Sequence, residues 1–359
     1  TERTMFLELL RETVSLHLDS VPRRIIPGAS AMQYAASLSY LCNTQNVPIT
    51  ALSTRRRIME ESSTATATKA VLPHSSVFIA NSVLENLAIH TDLQTSTRET
   101  TQLFAECAAV LASGVPQVPQ TVWESEGDKS STDTKRLDQN RAAEGLLRAS
   151  HRLLEFECLR MQETPTVSAF TTTFPNTATM FVDIVTASQT TKTIAVAALT
   201  HNKDALVQFT FPNSNSLTCA SVVAFDNKEL FVSDGNPEFT PMTSVISLAA
   251  ASIGSGNPQP NPSVGPTISF GNAMATLPEG TPYILAFDNR TLDFARISAG
   301  RSVDGFVFPA TLLQDTKKDD AFFSALTVGV QPNRSSSVTY VSVVLPLFVL
   351  LMIIHFAVS

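Results

Sequence analysis

Arg141-Ala-Ala-Glu-Gly-Leu-Leu-Arg-Ala-Ser-His-Arg-Leu-Leu154 and, beyond Pro165, Thr179-Met-Phe-Val-Asp-Ile-Val185 are two stretches of opposite period. In the first, Leu146, Leu147, Leu153 and Leu154 recur at the spacing of one helix face; the second is a short apolar run of strand length. The change of period near Glu163 divides the chain. Before it, Phe6, Leu7, Leu10, Val14 and Leu18, and then Ile79, Val83, Leu84 and Leu87, repeat the helical spacing. Ser96-Thr97-Arg98-Glu99 has the spacing of a capping box, which predicts a helix carrying Leu103, Phe104, Cys107, Val110 and Leu111 and ending at Gly114 and Pro116. Arg141 to Met161 predicts a further helix, with Ala143, Leu146, Leu147, Leu153, Leu154 and Leu159 turned inward.

After Pro165 come short β-branched and aromatic runs separated by Asn, Asp, Gly and Pro. They include Thr166–Phe170, Thr193–Leu199, Leu206–Phe211, Ser221–Phe225, Glu229–Ser233, Tyr283–Phe287, Phe294–Ile297 and Phe323–Val328. Their spacing predicts a β-sandwich. Ser252 to Pro266, rich in Gly and Pro, reads as a loop outside the core. Val341 to Val358 contains no Asp, Glu, Lys or Arg, and with Val338, Thr339 and Tyr340 it is long enough for the roughly 20 residues a membrane helix needs. Pro346 and His355 are its two residues least suited to lipid.

The fold class expected is therefore α+β: an N-terminal helical domain, a β-sandwich and a C-terminal transmembrane helix. Residues 1–114 form the helical domain, 115–138 a flexible linker or loop, and 139–163 a helix completing the helical domain. Residues 164–332 form the sandwich, 333–337 a short stalk and 338–358 the anchor. Ser335, Ser336 and Ser337 also admit a glycosylphosphatidylinositol signal, but without the usual polar spacer. A tail-anchored topology would suit Arg334. The opening Thr1-Glu-Arg-Thr has no leader pattern, so a signal peptide has been removed or the sequence is part of something longer.

Composition excludes some functions. The chain has 359 residues, 43% hydrophobic and only 16% charged, and its formal net charge is −7, so a basic surface for nucleic acid is not expected. From residue 161 onward 9 Lys and Arg stand against 14 Asp and Glu, a net of −5. Arg55, Arg56 and Arg57 read as a solvated face. Cys42, Cys107, Cys158 and Cys219 form no C-x-x-C pair, which argues against zinc; they are candidates for two disulfides or for buried thiols.

The six histidines fall in no metalloprotease pattern, and neither a serine elbow nor a nucleotide-binding glycine loop is present. His151 and Glu155, four apart, read as a surface pair rather than metal ligands. Asp226, Glu229 and Asp234 lack the dense array of a calcium loop. No cofactor is expected. Asn289-Arg-Thr and Asn333-Arg-Ser are acceptors for N-glycosylation, with Asn289 placed at a hairpin tip.

Ala80–Ala88, Thr95–Leu111 and Arg141–Leu154 resemble the serial amphipathic helices of the REJ or GAIN region, the membrane-proximal ectodomain of polycystin-like and adhesion-receptor proteins. The likeness in residues covers about 70–160, and the remainder matches in layout. It implies helices, then a sandwich, then a membrane helix. The family's cleavage motif is absent between Asp304 and Ser337, so autoproteolysis is not implied. The function expected is that of a non-enzymatic, membrane-anchored surface protein. It would be an adhesion or receptor ectodomain, or a structural stalk, with a protein or glycan partner and its N-terminal domains outside the cytoplasm. The alternative is a viral coat or structural protein with a membrane-active C-terminus.

Overall fold

The computed structural model describes residues 2–42, 72–115, 129–163, 169–174, 177–185, 191–196, 205–210, 217–225, 230–232, 240–253, 259–260, 265–269, 280–297, 300–302, 305–307 and 323–332. It is an α+β fold, with helices N-terminal and antiparallel strands C-terminal. Helix α1 (Glu2–Ser20) buries Leu7, Leu10, Val14 and Leu18, one stripe at i, i+3, i+7 and i+11. A single 3-10 turn, Pro22–Arg24, leads into α2 (Gly28–Cys42), which buries the small residues Ala31 and Ala35 with Leu38 and Cys42. Helix α3 (His74–His90) runs beside α1: Thr4 Oγ1 and Ser76 Oγ lie 2.9 Å apart at one end. At the other end Ile26 N donates to His90 O at 2.7 Å and Asp92 N to Ile26 O at 2.8 Å.

Helix α4 (Arg98–Gly114) ends where Gly114 places it, but its cap is Thr97, one residue after the expected Ser96. Thr97 N donates to Thr100 Oγ1 at 3.2 Å, while the Ser96 hydroxyl turns back to Leu93 O. Before this turn Gly28 N donates to Thr95 Oγ1 at 2.9 Å, and a Cβ on Gly28 would lie 2.3 Å from Thr95 O. Backbone cannot yield as a flexible side chain does. Gly28→Ala is expected to cost about 2 kcal/mol, read as a lowered midpoint of chemical unfolding; an unchanged midpoint would show that the α2 start can move away.

Helix α5 (Lys129–Glu163) has 35 residues, about 52 Å at 1.5 Å per residue. It corrects the expected domain limits, because residues 129–138, assigned to a flexible linker, are its first turns. Arg136 there is buried and ion-paired, so tryptic cleavage after it should be slow in the folded chain. Of the rest of the expected linker, Val115 is the buried cap residue closing α4, and 116–128 lies outside the described residues.

Strands β1 (Phe170–Phe174), β2 (Ala178–Val185), β3 (Thr191–Val196), β4 (Ala205–Thr210), β5 (Leu217–Phe225), β6 (Ile246–Ile253), β7 (Gln259–Pro260), β8 (Gly265–Ser269), β9 (Gly280–Asp288), β10 (Asp293–Ile297), β11 (Gly300–Ser302), β12 (Gly305–Val307) and β13 (Ser324–Pro332) form two sheets. One has the order β1-β2-β5-β6-β13-β9-β10 with β7 beside β6, the other β11-β12-β8-β4-β3, and every pairing is antiparallel. Strand β6 was not foreseen, and β7 with the start of β8 falls inside the Ser252–Pro266 stretch expected to be loop. Leu230–Val232, expected as strand, is not in a named strand.

The period of two sorts the larger sheet's residues into faces. Met180, Val182, Val223, Phe225, Val245, Ala249, Leu285, Phe287 and Ala325 join one continuous core with Leu84, Phe104, Leu147 and Leu154 of the helices. Their alternates Phe181, Ala220, Val222, Ala224 and Leu326 are buried as well, so the central strands are covered on both faces. No helix among the described residues is long and apolar enough to cross a membrane, and Val338–Val358 lies outside them.

Candidate functional site

Helix α5 is the element on which the helical and β parts meet, and its sheet-facing stripe is where chemistry-bearing side chains gather. On its opposite side it lies against α3. Asn81 Nδ2 donates to Ala142 O at 3.0 Å, a Cβ added at Gly145 would come 3.1 Å from that amide, and Arg148 Nε lies 3.4 Å from Glu85. Toward the strands it presents a ladder of polar contacts.

Near its start, Arg136 Nη1 meets Asp293 Oδ2 at 3.0 Å. One turn on, Asn140 Nδ2 donates to Val232 O and Leu292 O, both at 2.7 Å, and its Oδ1 accepts from Val232 N at 2.8 Å. Gln139 Nε2 reaches Leu230 O at 3.4 Å. These amides supply bonds that a neighbouring strand would otherwise give, which is why Leu230–Val232 stays in place without joining a ladder. Leu292, held by Asn140, sits in the left-handed region at φ 54°, unfavourable for a leucine by about 1 kcal/mol or more. The hairpin tip Asn289–Leu292 is thereby clamped to the helix.

At mid-helix His151 enters between β5 and β6. Its Nδ1 lies 3.0 Å from Ser221 Oγ, its Nε2 lies 2.7 Å from Ser247 Oγ, and its ring stacks on Phe323 at 5.2 Å between centroids. It is 1% exposed, and burial pushes its pKa down to about 3, so it is neutral at ordinary pH. A histidine touching a serine resembles a nucleophile and base, but both serines are buried, so no substrate reaches them and the group is a packed polar seam. The expected surface pair with Glu155 is corrected: Glu155 turns the other way and bonds Arg152 at 2.8 Å.

Two turns further, Glu157 is fully buried. Thr101 Oγ1 donates to it at 2.6 Å, Arg160 grips both its oxygens, and Arg98 Nε stands at 3.9 Å. Arg98 also donates to Ala169 O at 2.7 Å and lies over the Phe170 ring, tying α4 and α5 to the entrance of β1. Beside this cluster a disulfide joins Cys158 to Cys219 of β5, with Cα atoms 6.2 Å apart. Of the four cysteines, Cys42 and Cys107 are free thiols in the structure. Both are buried, which pushes the Cys42 thiol up to about 12 and Cys107 upward too.

A cleft of about 610 Å³ opens between the Pro22–Arg24 turn, the end of α3 and the last turns of α5. Arg23 (φ 67°) and Arg24 (φ 52°) line it, both in the left-handed region. Its charges are largely matched, Arg24 with Asp19 at 3.0 Å and Arg152 with Glu155. Among the described residues no three His, Cys, Asp or Glu side chains come together as a metal site. Asp226, Glu229 and Asp234, like Asn333 and Arg55 to Arg57, lie outside them. Asn289 stands at the tip of the β9–β10 hairpin beside exposed Arg290 and Thr291, where Asp288 accepts from Arg290 N at 2.9 Å.

Sequence reasoning named the leucines of α5 but missed Asn140 and Glu157 and misplaced His151. Their signal was present: Arg136, Asn140 and His151 share the helical stripe with Leu147, Leu154 and Cys158, and Glu157 stands three residues after Leu154. No family model and no curated protein matches this chain.

Proposed function

We propose that the chain is a non-enzymatic surface module, an ectodomain held to a membrane through Val338–Val358 and serving as a structural stalk or adhesion-receptor element toward a protein or glycan partner. The observation that carries this reading is β13. It lies inside the larger sheet, with β9 on one side along Leu326–Pro332 and β6 on the other along Ser324–Leu326. Where β6 leaves off, Met242 N donates to Val328 O at 2.8 Å, and Thr243 Oγ1 accepts from Val328 N at 3.2 Å. Five residues separate Pro332 from Val338. Tension from the anchor would therefore pull along a strand paired with β9 over Leu326–Pro332 and held on both sides at Ser324–Val328, whose hydrogen bonds must shear together rather than open one by one.

The sheets are read as a sandwich because both faces of the central strands are buried while helices account for one face. The Cys158–Cys219 bridge supports an extracytoplasmic setting, since disulfides persist in oxidising compartments. Asn289, at an exposed turn, suits glycosylation there. The layout resemblance to membrane-proximal receptor ectodomains agrees.

Deleting residues 336–359 should move the protein from the carbonate-resistant membrane fraction to the soluble one with unchanged circular dichroism; retention in the membrane fraction would sink the anchor. In a eukaryotic host Asn289→Gln should remove a gel-mobility shift. No shift, together with Cys158 and Cys219 found reduced when the protein is alkylated on transfer into denaturant, would place these domains in the cytosol.

A further inference from the structure

Strand β13 gives the larger sheet a membrane end and a far end. It finishes at Pro332 opposite Gly280, while β9 runs away from Gly280 to Asp288 and turns over at Asn289–Leu292 into β10. At about 3.3 Å per residue, the eight steps from Gly280 to Asp288 separate the two ends by about 26 Å. The six steps from Pro332 to Val338 span at most about 22 Å even when fully extended. An inverted domain, hairpin tip down, would lift Pro332 higher than this tether can reach.

We infer that the sheet stands with its Thr281–Gln331 end against the lipid headgroups and its Asn289–Leu292 turn pointing away from the membrane, an orientation that rests on reading Val338–Val358 as the anchor. Arg296, the one cation in β9, β10 and β13, leans toward the lipid end: its guanidinium lies 4.5 Å over the Tyr283 ring and its Nη1 3.3 Å from Gln331 Oε1. A fixed cation on this side suits a phosphate surface. The far end holds the sequon at Asn289 and, through Arg136–Asp293 and Asn140–Leu292, the start of α5.

The test uses the full chain in phosphatidylcholine vesicles whose headgroups carry an energy acceptor. A donor of short transfer range is attached at Thr281→Cys or at Arg290→Cys, both exposed positions. Transfer several-fold higher from 281 than from 290 supports the orientation. Equal or reversed transfer from chains that float with the vesicles overturns it and leaves the anchor standing. Failure of the full chain to float overturns the anchor and the orientation with it. Hydroxyl-radical footprinting of the unsubstituted chain, vesicles against detergent, reads the same question without a variant. Protection at 281–283 with none at 289–292 is the supporting result, and protection at 289–292 the overturning one.

Discussion

Between pH 6.5 and about pH 5 the folded protein is expected to lose about 2 kcal/mol of stability through His151 alone, and about 4 kcal/mol by the time the pH nears 3. The folded pKa is about 3 because burial between the two sheet serines and Phe323 disfavours the charged ring, whereas the unfolded chain binds a proton near 6.5. Well above 6.5 neither state is protonated and the full stability is present. As pH falls the unfolded state gains a proton that the folded state refuses, so stability drops through this window.

His74, lowered mainly by burial, acts in the same sense, and Glu144, raised mainly by burial, acts in the opposite one. The comparison is therefore made with His151→Gln, which keeps hydrogen-bonding groups beside Ser221 and Ser247 but cannot titrate. The drop in denaturant midpoint from neutral pH to about pH 5 should be smaller in the variant than in the parent. Parallel falls would mean that His151 is protonated in the fold, and the seam would then need a water or an anion.

Glu157→Gln is expected to destabilise the fold by about 3 kcal/mol. The carboxylate is fully buried and Arg160, whose side chain is 10% exposed, has its charge matched there. The hydrogen bond to Glu157 is the main reason that the Arg160 pKa is raised. Removing one charge strands the other in a medium that solvates it poorly. A second change, Arg160→Met, should recover a good part of the loss, because a neutral pair of similar size has no charge to desolvate. A double-mutant cycle reads this directly. If the two losses simply add, the arginine is hydrated and the ion pair contributes little.

The α+β division was legible because period is a strong signal: Leu146, Leu147, Leu153 and Leu154 could only share a helix face, and all four are buried. Boundaries were harder. Residues 129–138 carry Lys, Ser, Thr and Asp and look like linker, yet Arg136 gains an ion pair and buried surroundings that no local propensity encodes. Strand β6, Ile246-Ser-Leu-Ala-Ala-Ala-Ser-Ile253, is rich in alanine and serine, residues that favour strands weakly. It forms because β5 on one side and β13 with β7 on the other hold its backbone. The polar seam was invisible for a related reason. His151 reads as surface until its two serines, 70 and 96 residues away in sequence, are known to be its neighbours.

The bridge between Cys158 and Cys219 closes a ring of chain 61 residues apart in sequence, and that ring spans the passage from helices to strands. A protease that cuts anywhere within it leaves one covalent molecule, with the N-terminal helices still attached to the strands that lead toward the apolar segment. Such a chain would migrate as a single species until a reductant is added and then as two. Shedding of the helical part would therefore take two chemical events, a nick and a reduction, whereas a single cut beyond Cys219 would release helices and the first strands together.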